Sequence, residues 1–148
     1  MTKQTLDKLY TPNLLSMIYN KLATESSTTY RKLFGVGLMD CRIIALLAAE
    51  PNITATRIAE ITNLDKSAVS RSIKSLSEKG IVTGTVQSDT DRSPALYLSD
   101  TGRALHAKYL PYALSQEQRL LSCLSDQESI QFQNYLVRVL ERLTNEPS

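Results

Sequence analysis

The chain has no tryptophan, one histidine, two cysteines, and only five glycines and five prolines among 148 residues. So little glycine and proline disfavours a sheet-rich fold full of turns and points to helices. The two cysteines, Cys41 and Cys123, lie far apart and form no CxxC pair, and a single histidine cannot complete a metal set. A zinc site is therefore excluded. No apolar run approaches the ~18 residues that a membrane span needs, and the polar start MTKQTLDKLYTPN has no signal-like apolar core. A cytoplasmic location, with both thiols reduced, is the default expectation. Gly-rich phosphate loops and nucleophile–base motifs are also missing, so nothing supports an enzyme or a bound cofactor.

What the chain does have is apolar content, at 42%, enough for a packed core. The net charge of +2 is too small to identify a partner, but its distribution is informative. Between residues 66 and 79 stand Lys66, Arg71, Lys74 and Lys79 against the single Glu78. Phosphates are attracted to that segment rather than to the chain as a whole.

Periodicity gives the order of elements. Residues 14–34 carry Leu14, Met17, Ile18, Leu22, Tyr30 and Phe34 at helical spacing, with Pro12 suited to a first turn. The weakly helical ATESSTT allows a break in that helix. Gly35-Val36-Gly37 reads as a loop. A second helix is expected over 40–50, stopped by Pro51. A third follows Thr54 as N-cap and buries Ile58, Ala59 and Ile61. Asp65 caps a fourth helix, with Val69, Ile73 and Leu76 inward and Gly80 at its left-handed end. The period then changes to two over 81–86 and 95–98, a hairpin with the polar connection QSDTDRSP. Ser99 caps the next helix, where Gly102 permits close packing and Pro111 should introduce a kink. Ser125 and Glu128 form a capping box. The last helix then carries the stripe Phe132, Leu136, Val139, Leu140 and Leu143.

Helix, short helix, turn, basic helix, hairpin is the order of a winged helix-turn-helix. The outward face of the basic helix presents Ser67, Ser70, Arg71 and Lys74, short or cationic groups suited to base edges and phosphates. A protein-binding face, the rival reading, would more often show exposed aromatic and apolar anchors. Arg92 at the hairpin tip suits entry into a minor groove, although Asp89 and Asp91 beside it also fit a solubilising turn.

These residues carry a resemblance. LMDCRIIALLAAEPNITATRIAEITNLDKSAVSRSIKSLSEKGIV resembles the helix-turn-helix elements of the MarR family of bacterial transcriptional regulators, and DKSAVSRSIKSLSEKGIV is similar to its recognition helix. Asp91-Arg92 and LYLSDTG resemble its wing and the start of the next helix, with Ser99 in place of the usual threonine. Thr90 stands where the family often has an acid, and Thr83 and Gly84 where it commonly has a basic residue.

The resemblance implies a mainly α fold: a three-helix lobe with a two-stranded wing over 39–99, flanked by dimerisation helices over 1–38 and 100–148. It also implies a homodimeric DNA-binding regulator, usually a repressor released by a small effector or by oxidation. DNA contacts are expected from Thr54, Thr56, Arg57, Lys66, Ser67, Ser70, Arg71, Lys74 and Arg92, on a pseudo-palindromic operator. Met17, Tyr19, Tyr30 and Arg42 are the candidates for an effector pocket. Family members that sense peroxide use a cysteine in the first long helix, which this chain lacks. Cys41 is therefore expected to be a small buried hydrophobe.

Overall fold

The structure is a computed structural model that describes residues 10–85 and 93–146. Helix α1 spans Thr11–Phe34 without a break. The threonines of the weakly helical stretch do not compete with the helix. The Thr24 hydroxyl donates to the Asn20 carbonyl at 2.8 Å and Thr29 to Glu25 at 3.3 Å, each bonding back one turn. Gly35, at φ 71°, ends the helix in the left-handed region.

Helix α2 (Leu38–Ala49) begins two residues before the expected position. The reason is Asp40, the third residue of the helix, whose carboxylate accepts from the Gly37 amide at 3.0 Å. Helix α3 (Ala55–Thr62) starts as the sequence indicates, with the Thr54 hydroxyl accepting from the Arg57 amide at 3.2 Å. Helix α4 (Lys66–Glu78) starts on Asp65, which accepts from the Ala68 amide at 3.1 Å. Its end is a Schellman motif. Gly80 sits at φ 69°, its amide donates to Ser77 at 3.0 Å, and the Ile81 amide reaches back to Leu76 at 2.9 Å.

Strands β1 (Val82–Thr85) and β2 (Ala95–Leu98) pair antiparallel, with Val82 opposite Leu98 and Thr85 opposite Ala95. The far side of β2 is also paired, a feature the sequence does not announce. The Asn52 amide donates to Leu96 at 2.9 Å and Leu96 donates to Ile53 at 2.8 Å, with Asn52 left-handed at φ 70°. The connection after α2 thus covers an edge that would otherwise leave a peptide unpaired.

Helix α5 (Asp100–Leu121) continues through Pro111, and α6 (Asp126–Thr144) opens on the expected capping box. The Ser125 amide donates to Glu128 at 2.8 Å and the Glu128 amide to Ser125 at 3.3 Å, which holds the Glu128 carboxyl below its usual range. The chain divides between Leu110 and Pro111 into two compact units.

In the first unit, Val36, Cys41, Ile43, Ile44, Leu47, Ile58, Val69 and Leu76 are fully buried. Each large aliphatic among them contributes roughly 1.5–3 kcal/mol by leaving water. Two expected core positions differ. Ile61 is 39% exposed, because α3 turns both Ile58 and Ala59 inward and Ile61, on the flank of Ile58 away from Ala59, falls at the margin of that side. On α4 the inward row is Val69, Ser72 and Leu76, leaving Ile73 half-buried. Ser72 is tolerated inside because its hydroxyl donates to the second oxygen of Asp40. Cys41 is fully buried as expected, and burial, followed by the neighbouring Asp40 charge, pushes its thiol up to about 12. In the second unit, Glu117 on α5 accepts from the Gln133 side chain on α6 at 2.9 Å. None of the residues of α6 is buried, so the apolar stripe Phe132, Leu136, Val139, Leu140 and Leu143 faces outward.

The α4–β1 junction meets α5 at Gly80 and Ile81. The Ser99 amide donates to the Ile81 carbonyl at 3.0 Å, and its hydroxyl donates to the Gly80 carbonyl at 2.5 Å and lies 3.0 Å from that of Ile81, while the same hydroxyl accepts from Gly102 at 3.1 Å. A Cβ on Gly102 would lie 2.2 Å from the Ile81 oxygen, so only glycine fits. Gly102→Ala should therefore destabilise the fold by about 1–3 kcal/mol, against the gain of up to ~1 kcal/mol that alanine brings to an unobstructed helix. Urea denaturation reads the sign directly. Ser72→Ala leaves a half-buried Asp40 oxygen without its donor and should cost about 1–2 kcal/mol. An unchanged urea midpoint would show that water replaces the hydroxyl without penalty.

Candidate nucleic-acid interface

The Asp65 cap sets where α4 begins, and the burial of Val69, Ser72 and Leu76 sets which way it is turned. Lys66, Ser67, Ser70, Arg71 and Lys74 then fall on its exposed side. None of these side chains has a hydrogen bond or ion pair among the described residues. Ser67, Ser70 and Lys74 follow one line along the helix at three- and four-residue spacing. Arg71 lies at the edge of that line, towards Ala68 and Ser75.

The remaining candidates divide. Thr56 is exposed and lies near the start of α3. Thr54 is half-buried and its hydroxyl is committed to the helix cap. Arg57 pairs with Glu60 at 3.7 Å, both side chains more than half exposed, an ion pair weak enough for a phosphate to displace. Arg92, with Asp89 and Asp91, lies outside the described residues.

The four effector candidates lie on α1 and α2. Arg42 stacks over the Tyr19 ring at 5.5 Å, and Met17 is 64% exposed on α1. Tyr30 is buried in an aromatic cluster, its ring 5.8 Å from Phe34 and 5.9 Å from Tyr109. Burial raises the Tyr109 hydroxyl above its ordinary range, and a hydrogen bond with Tyr30 partly offsets this. His106 is half-buried against an apolar cleft of about 450 Å³ formed by Leu47, Pro51, Tyr97 and Leu98.

One cation beside α4 is not singled out by the sequence pattern. Arg31, at the end of α1, borders together with Lys79, at the end of α4, a cleft that Arg71 also lines. A basic residue at a helix C-terminus is ordinarily explained by the helix dipole, so no local signal marks Arg31.

Against this geometry stand the relatives. Residues 34–92 match the family model described as MarR family. A crystal structure of a MarR/EmrR family transcriptional regulator from Acinetobacter sp. ADP1 is 30% identical, with a TM-score of 0.86 over 95% of this chain and 99% of that one. The MepR–DNA complex of S. aureus is 22% identical, with a TM-score of 0.75 over 89% of this chain and 95% of its own. PcaV from Streptomyces coelicolor, solved with its natural ligand, is 18% identical, with a TM-score of 0.77 over 91% of this chain and 94% of that chain. No curated protein matches the chain. With the first of these similar along nearly its whole length, the chain belongs to the MarR family of transcriptional regulators.

Proposed function

We propose that this regulator binds duplex DNA sequence-specifically as a homodimer and acts as a repressor released by a small-molecule effector. The observation that carries the reading is the exposed side of α4. Five hydroxyl-bearing or cationic side chains there, from Lys66 to Lys74, have no partner among the described residues. A solvated face of this composition on a helix of the family's recognition element is suited to a major groove.

Dimerisation follows from the exposed apolar surface. Leu14, Leu15, Met17 and Ile18 on α1, and Leu136, Val139, Leu140 and Leu143 on α6, are all between 38% and 64% exposed. Apolar patches of this kind on a monomer mark an interface. A twin copy related by a two-fold axis covers both faces and presents two recognition helices ~34–36 Å apart, matching a pseudo-palindromic operator. Among the described residues no helix is long and apolar enough to cross a membrane, and we place the protein in the cytoplasm with its DNA. The relative solved with its natural ligand supports effector control, and dissociation of the DNA complex by one of a panel of small acids tests that half of the reading.

Within α4, Arg71 is assigned a guanine edge and Lys74 a phosphate. Arg71→Ala should relax specificity at one base pair of each half-site, by ~1–3 kcal/mol of discrimination. Lys74→Ala should weaken all duplexes evenly and lower the salt slope by roughly one unit for each phosphate no longer neutralised. Selection from random duplexes, followed by titration of both variants across salt, separates the two roles. Full affinity in both variants would leave protein recognition as the function of the face. Sedimentation at micromolar concentration should give a dimer, and a stable monomer there would remove the two-fold operator from the proposal.

A further inference from the structure

A cleft of about 390 Å³ opens between the end of α1, the start of α2 and the flank of α4. Arg31, Arg71 and Lys79 line it, and Asp40 is the one acid among its lining residues. Both Asp40 oxygens are already engaged, one by the Ser72 hydroxyl and the other by the Gly37 amide at 3.0 Å. The acid is therefore held by the fold rather than by the cations. The side chains of Arg31 and Arg71 have no hydrogen bond or ion pair among the described residues. The Arg31 guanidinium lies beside Gly37, where a Cβ built on the glycine would fall 3.7 Å from its Nη2. Lys79 Nζ donates to the Gly35 carbonyl at 3.2 Å, which fixes the ammonium and leaves two of its protons free.

Three cations that border one cleft attract an anion into it together. The chemistry that fits is a phosphate oxygen pair, and the position favours one source of it. The cleft shares Arg71 with the outward side of α4. When such a helix lies in a major groove, the groove's phosphates pass along its flanks. We propose that the cleft seats a backbone phosphate of the operator, held by Arg31 and Lys79, with Arg71 standing between that phosphate and the bases. This rests on the DNA-binding reading of α4. It also makes the end of α1, otherwise assigned to the dimerisation arm, part of the DNA contact, so that a displacement of α1 changes grip on DNA without moving the recognition helix.

The test uses the full-length chain and the duplex it selects. Arg31→Gln and Lys79→Gln are compared with Lys32→Gln, which removes the same charge one residue away from an exposed side chain outside the cleft. Thermal melts confirm that each variant is folded. In the Arg31 and Lys79 variants the salt slope should fall by ~0.9 for each cleft cation removed, twice per dimer, and in the Lys32 variant it should not change. A scan of single methylphosphonate substitutions should weaken the wild type at one phosphate flanking each half-site, and Arg31→Gln should be indifferent to that position. Arg31→Gln behaving like Lys32→Gln, or a scan identical to that of the wild type, overturns the proposal. If Lys74→Ala still weakens binding in that case, the DNA-binding reading survives it. A wild type that binds no duplex defeats both. Titration with inorganic phosphate separates the other source: phosphate bound by the wild type but not by Arg31→Gln, with DNA affinity equal in the two, shows a free-anion site and overturns the assignment.

Discussion

The orientation of the recognition helix depends on one carboxylate. Asp40 holds the Gly37 amide with one oxygen and the Ser72 hydroxyl with the other. The first bond closes the turn between α1 and α2, and the second ties that turn to the middle of α4. Hydrogen bonds to an ionised acceptor contribute about 1.5–3 kcal/mol each, more than a neutral pair would. Without them the apolar row Val69 and Leu76 would still bury α4, but apolar packing is not directional and would permit a range of rotations. The polar pair selects one rotation, and with it the residues that face solvent.

A second constraint meets the first at the other end of α4. Ile81 donates through its amide to the end of that helix, and its carbonyl receives Ser99 from the start of α5. Helix, wing and following helix therefore meet at one residue, through the two peptide units that flank its Cα. The wing's inner strand is tied on its other side to the connection after α2 through Leu96. The lobe is held by a few polar contacts at its corners and by aliphatic packing between them.

Much of this was legible in the sequence. Thr54, Asp65, Ser125 and the glycines at 35 and 80 announce element ends, because caps and left-handed positions depend on neighbours within a few residues. Cys41 was legible as a core residue for the same local reason, its place on the inward face of α2. The early start of α2, the burial of Ser72 and the exposure of Ile61 were not. Each depends on which side of a helix meets a distant partner, and a serine 32 residues from its aspartate gives no periodic signal. The exposed row on α4 was readable from spacing alone. The cleft was not, since Arg31 and Lys79 come together only through tertiary structure.

The pairing at Ile81 bears on how the lobe can be exchanged between relatives. A segment cut to the helix-turn-helix and wing would end at Ser99, severing the hydrogen bonds of that residue from the helix it opens. It would also remove Tyr109, whose ring packs against Phe34 at 5.7 Å. The seam that leaves these joints whole lies at Leu110–Pro111, where the two compact units part. Chimaeras built to swap operator preference thus have a natural crossover at the proline within α5, with the first three turns of that helix travelling with the wing.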